Sequence, residues 1–156
     1  MICWTSLKRR FSFEVLLVIL LLGSGLAMYF WGFHNSLDAR FYYSQGESLR
    51  FFEGLTTVEV EKYKRQEIFD FLFIAAYSGL FVRVLGLLFP KKLLLKSLGL
   101  VPGVLDVIET VTIMLVLLGI VPLAPLGLGF VTGAKWVASG LVLLFVAVAS
   151  VRRKFI

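Results

Sequence analysis

Six side chains capable of acid–base or ion-pair chemistry stand inside stretches that are otherwise almost wholly apolar. Asp70, Tyr77 and Arg83 share one stretch, Asp106 and Glu109 a second, and Lys135 a third. Asp106 and Glu109 are three residues apart, which on a helix puts both carboxylates on one face. Steps of three and four likewise bring Tyr63, Glu67, Asp70, Ile74 and Tyr77 to one side of a helix. Such a set can neutralise itself and fix helix packing, bind or relay an ion or proton, or serve as acid, base and phosphate clamp toward a substrate. A carboxylate metal centre in a four-helix frame would want Glu-x-x-His on two helices. The one histidine, His34, lies outside these stretches, so neither a metal nor a cofactor is expected. No G-x-S-x-G, H-E-x-x-H or glycine-rich phosphate loop follows a strand, which leaves hydrolase, zinc-protease and nucleotide chemistry without a motif. Whether the chain is an enzyme stays open, with the balance against.

The elements that must position these groups follow from composition. The chain has 156 residues, of which 59% are hydrophobic, and a mean hydropathy of +0.91, too apolar for an ordinary soluble domain. Four apolar runs, at about 11–33, 67–89, 103–121 and 130–151, approach the roughly 20 residues that a bilayer-crossing helix needs. The fold expected is all-α: a single transmembrane domain, polytopic, forming a left-handed four-helix bundle with a short extramembrane helix between helices one and two. Gly25-Leu26-Ala27 weakly resembles a signal-peptide cleavage site, but the apolar character continues past it, so a retained helix is expected. The formal charge of +6 does not point to nucleic acid, because the basic residues cluster at the ends of apolar runs: Lys8-Arg9-Arg10, Lys91-Lys92 with Lys96, and Arg152-Arg153-Lys154. That is the placement of cytoplasmic flanks, and it suits anionic lipid headgroups. Four crossings put all three clusters on one side, with both termini cytoplasmic, in a plasma or inner membrane. Cys3 is the sole cysteine, which excludes an internal disulfide; a free thiol is expected there, with S-palmitoylation as the alternative.

Residues 35–66 form the one long polar segment. Ser44-x-x-Glu47 and Thr56-x-x-Glu59 read as capping boxes, the first opening a short helix and the second the long polar one. Gly54 can close the short helix in left-handed geometry. The segment reads first as a connector, second as a lid over a membrane pocket. Gly23 with Ala27, and Ala134 with Ala138, are small-xxx-small pairs that would allow close helix approach.

A topology of alternating direction predicts where the charges meet. Arg83, Asp106, Glu109 and Glu14 all fall toward the cytoplasmic ends of their helices, whereas Asp70 and Lys135 fall toward the other. Two ionic layers are expected: Arg83 with Asp106 and Glu109, and Asp70 with Lys135.

The run Leu37-Asp38-Ala39-Arg40-Phe41-Tyr42-Tyr43-Ser44, followed by Tyr63, Asp70 and Tyr77, then Asp106-x-x-Glu109, then Lys135, resembles an uncharacterised family of small four-helix integral membrane proteins. Its pattern has Leu-Asp-x-Arg-Phe-x-Tyr, a helix with Asp and Tyr, a helix with Asp-x-x-Glu-Asn, and a last helix with Lys. Thr110 stands here where that pattern has Asn, which would alter any hydrogen bond made there. The resemblance covers about 37–135. It implies the same four-helix fold, adds Asp38, Arg40, Tyr43 and Tyr63 as extramembrane candidates, and brings no activity. Three functions remain open: a structural, accessory or small-ligand- or lipid-binding bundle; a proton- or ion-coupled carrier, which at this size would form a homo-oligomer; and an intramembrane lipid-modifying enzyme with Arg83 or Arg40 on a headgroup phosphate.

Overall fold

The structure is a computed structural model that describes residues 4–32, 35–122 and 127–154; Cys3, His34 and part of the turn after Pro122 lie outside them. Six helices follow in order: α1 (Trp4–Trp31), α2 (Gln45–Glu53), α3 (Thr57–Leu88), α4 (Leu93–Ser97), α5 (Val101–Leu117) and α6 (Leu128–Lys154), with a 3-10 turn, Leu98–Leu100, between α4 and α5. No strand occurs among the described residues. Four stretches, Phe13–Trp31, Thr57–Leu88, Leu93–Leu117 and Leu128–Val151, are long and apolar enough to cross a membrane. The fold is an all-α bundle of four long apolar helical stretches, with α2 as a short helix between the first two.

Local chemistry sets the helix ends. Both capping boxes form. The Ser44 side chain accepts from the Glu47 amide, while Glu47 accepts the Ser44 N–H at 2.6 Å. The Ser44 hydroxyl also donates to that carboxylate, at 2.7 Å, and the bonds from the Ser44 amide and hydroxyl hold the exposed Glu47 carboxyl below its ordinary pKa. Thr56 and Glu59 repeat the arrangement and start α3 well before its apolar part. Gly54 does close α2, but in right-handed geometry (φ −82°), contrary to the left-handed cap expected. Its N–H returns to the Arg50 carbonyl at 3.1 Å, so no left-handed residue is needed. The glycines that do turn left-handed among the described residues are Gly127 (φ +54°), just before α6, and Gly119 (φ +70°). The latter closes α5 with a Schellman pair, Gly119 N–H to Val116 and Ile120 N–H to Leu115. That ends the third long stretch at Leu117 rather than at 121.

The other end of that stretch also moves. The sequence suggests an interfacial turn up to Gly103 and a helix after it. Instead α4, the 3-10 turn and α5 make one nearly continuous antiparallel run against α3. Numbers rise along one and fall along the other: Gly99 lies against Val82, Gly103 against Ser78, Asp106 bonds Tyr77 and Thr110 bonds Asp70. Pro102 sits in the first turn of α5, where its missing N–H has no helical partner to lose.

α1 packs against α3 through Glu14, Leu17, Leu21, Ser24 and Met28, each buried or half-buried and spaced by threes and fours. The seat for Leu17 is Gly79 of α3, where a Cβ would meet the leucine methyls at 3.2 Å. Gly23 faces open space and Ala134 is exposed, so neither small-xxx-small pair makes its interface as a pair. α6 packs along α5 through Leu128, Thr132, Lys135 and Val142, all buried. α1 and α6 both approach the α3–α5 pair but do not close on each other.

Gly99 tests this register. A Cβ there would sit 2.7 Å from the Val82 nitrogen and 2.9 Å from the Phe81 carbonyl carbon, both backbone atoms that cannot swing aside. Gly99→Ala is expected to destabilise by about 1–3 kcal/mol, the range of overpacked cores. Gly23→Ala, with nothing within 4 Å, should leave the midpoint where it was. Thermal scans of both variants in the same detergent compare them directly.

Candidate functional site

The polar side chains of α3, α5 and α6 meet in one layer, not two. Lys135 is its centre. Its Nζ lies 2.7 Å from Asp106 Oδ1, 2.6 Å from Glu109 Oε2 and 3.3 Å from the carbonyl oxygen of Asp38. An ammonium has three donors, and here each has an oxygen to face. Lys135, Asp106 and Glu109 are buried to 7%, 6% and 0% exposure, so the three charges have little but each other to offset their desolvation. Around them, Tyr77 donates to Asp106 Oδ2 at 2.8 Å, and Thr132 and Tyr43 both donate to Glu109 Oε1. Asp70 accepts from Thr110 at 2.7 Å.

Both ionic pairings expected from sequence are therefore corrected. Arg83 does not meet Asp106 or Glu109: its Nε donates to Glu14 of α1 at 2.6 Å. Asp70 does not pair with Lys135. The cause is the sunken α4–turn–α5 run. In its register Arg83 is level with about Leu98, which leaves Asp106 some eight residues, roughly 12 Å of helix, farther in. The rule behind the expectation, that intramembrane charges find partners on other helices, does describe both cations; only the depth was misjudged.

The segment 35–44 closes the loop end of this layer. The Asp38 carbonyl takes Lys135, the Tyr63 hydroxyl donates to Asp38 Oδ1 and accepts the Leu37 amide, and Trp136 of α6 donates to the Arg40 carbonyl at 2.9 Å. Tyr43 is 2% exposed. Burial, and beyond it the Glu109 carboxylate, holds its phenol above the ordinary tyrosine range, so it remains a donor. α2 lays Phe52 flat over Tyr63, centroids 6.3 Å apart, with Phe51 edge-on. The segment is more than a connector: it supplies atoms to the site. The Arg40 guanidinium points elsewhere, toward Asn35 and the face of Phe51.

Beside the layer runs an open cleft of about 590 Å³ between α1 and α6, floored by α3 and α5. Asp38, Asp70, Asp106 and Lys135 line its polar part; Leu21, Phe81 and Leu143 line its far end. Comparison with family models, curated proteins and solved structures gives no match. The site must therefore be read from its own geometry.

Of the ten candidates named from sequence, Asp38, Asp70, Tyr77, Asp106 and Lys135 line the cleft, Glu109 lies directly behind Lys135, and Tyr43 and Tyr63 brace the loop end. Arg83 and Arg40 stand apart. Thr132, Thr110 as a donor to Asp70, and Glu67 were not among those candidates, although helical spacing had put Glu67 on the same face as Asp70. Glu67 is fully buried with no hydrogen bond to either oxygen, within electrostatic reach of Asp38, Asp70, Glu109 and Lys135. Its helical spacing from Tyr63 and Asp70 was the available signal. Five carboxylates thus surround one lysine; among the described residues no three of them converge as metal ligands.

Proposed function

We propose that the protein is an integral membrane protein that binds an amphiphile in the cleft between α1 and α6. The observation that carries this is the cleft itself. Its volume falls within the roughly 300–1,000 Å³ of ligand sites, and its polarity is graded. The polar end lies beside the 35–44 segment and the apolar end deeper, between Leu21 and Leu143. Such a gradient matches a molecule with a polar head and an apolar body entering sideways from lipid. A purely structural cluster of charges would need no such space. A lipid-modifying enzyme holding a phosphate is disfavoured because neither Arg83 nor Arg40 lines the cleft. On this reading the basic flanks face the cytoplasm, where anionic headgroups hold them, and both termini lie on that side.

Trp136 lines the cleft and serves as reporter. With Trp4 and Trp31 replaced by phenylalanine, a chain-brominated amphiphile should quench Trp136 in a saturable manner. Ser139→Phe, which fills the cleft from α6, should remove the saturable part. Quenching that stays linear, and is the same in the filled variant, would refute the proposal.

A further inference from the structure

We infer that the head group this cleft selects is an organic ammonium, carried on an apolar body. The inference rests on the amphiphile reading above and adds the chemical class. Two independent features point to it. The first is charge. Lys135 is engaged by Asp106, Glu109 and the Asp38 carbonyl, so its charge is already more than matched. Asp38 and Asp70 also face the cleft, and among the described residues no lysine or arginine forms an ion pair with either. Asp70 is 7% exposed and uses one carboxyl oxygen, Oδ2, on Thr110; its other oxygen has no hydrogen bond. A carboxylate held in low-dielectric surroundings without a cation is unfavourable. A bound ammonium supplies that cation, and an anionic head would add to the excess.

The second feature is aromatic. Phe73, Tyr77 and Phe81 follow one another at four-residue steps along α3, and all three line the cleft. Adjacent rings meet edge to face, with centroids 5.8 Å and 5.5 Å apart. Tyr29 of α1 and Trp136 of α6 line the facing walls. Aromatic walls around acidic groups are how alkylated ammonium is recognised, through ring faces that attract a weakly hydrated cation. An arginine or a second lysine on the wall would have opposed this; among the described residues the cleft has neither.

The test uses the full chain with Trp136 as its sole tryptophan, in maltoside micelles. It is titrated with three brominated amphiphiles of equal chain length, bearing trimethylammonium, sulfate or maltoside heads. The ammonium compound is expected to saturate at a concentration at least about tenfold lower than the sulfate, a difference of 1.4 kcal/mol. Asp70→Asn, which can still accept from Thr110, should abolish that preference while leaving the thermal midpoint near that of the parent. Phe81→Leu, outside the hydrogen-bonded layer, should weaken the ammonium compound and leave the sulfate unchanged. Equal binding of all three heads, tighter binding of the sulfate, or a preference untouched by both variants would overturn the ammonium assignment and leave the amphiphile reading standing. Absence of saturation with every head would overturn both.

Discussion

Replacing Lys135 by methionine is expected to destabilise the protein by about 3–5 kcal/mol, the usual effect of removing one partner from a buried ion pair. The side chains are similar in length, so little packing is lost. What is lost is, among the described residues, the only cation within ion-pair reach of Asp106 and Glu109, both almost fully buried. The two carboxylates would then face each other and Asp70 across the layer with nothing between them. The triple variant Lys135→Met, Asp106→Asn, Glu109→Gln should recover most of the loss, because hydrogen-bonded neutral groups replace the unpaired charges and Tyr77, Tyr43 and Thr132 keep acceptors. Midpoints from thermal scans in detergent compare parent, single and triple variants. A single variant as stable as the parent would mean that the layer is not held by charge. For a chain this long, roughly 2–4 °C per kcal/mol is expected.

Gly129→Ala should have the next largest effect, and a different one. A Cβ there would overlap the Tyr43 carbonyl oxygen and lie 2.9 Å from the Tyr43 carbonyl carbon and 3.2 Å from its nitrogen. These are backbone atoms, so either the 35–44 segment lifts or the start of α6 tilts. In both cases Tyr43 leaves Glu109 and the Asp38 carbonyl leaves Lys135. Overpacking of this kind costs about 1–3 kcal/mol, but here it is concentrated at the loop end of the site. With Cys3 replaced by serine, a reporter cysteine at Ser36, which is 4% exposed, reads that opening. Alkylation should accelerate by about tenfold for each 1.4 kcal/mol of local destabilisation. An unchanged rate would mean that the segment does not rest on α6. Gly133→Ala, whose Cβ would meet the Phe41 carbonyl oxygen only at 3.7 Å, is the control and should not change it.

Much of this architecture was legible in the chain. The apolar runs marked the four long helical stretches, because a helix long and apolar enough to cross a membrane carries apolar side chains on most of its faces. The two capping boxes fixed the starts of α2 and α3, because Ser44 and Thr56 each stand three residues before a glutamate. The buried stripe Tyr63, Glu67, Asp70, Ile74 followed from helical spacing. What could not be read was depth. Nothing in Lys91–Leu100 says whether its leucines lie on a surface or tuck beneath α3. That choice rests on Gly99, whose missing side chain lets the 3-10 turn touch the backbone at Val82. Moving Asp106 inward by about two turns changed its partner from Arg83 to Lys135. The folding back of 35–44 onto α6 was hidden for a similar reason. It depends on Gly129, and a glycine near a turn looks the same whether it bends the chain or makes room for another part of it.

The one-sided attachment of α1 has a mechanical meaning. Its main partner is α3, through a row that turns on Leu17 in the Gly79 seat and ends at the Arg83–Glu14 bridge. None of the hydrogen bonds around Lys135 passes through it. α1 is thus a wall of the cleft that takes no part in the acidic frame. On the amphiphile reading proposed above, substitutions on its cleft side, at Leu21 or Met28, would change the width of the entrance and leave the electrostatics of the interior as they are.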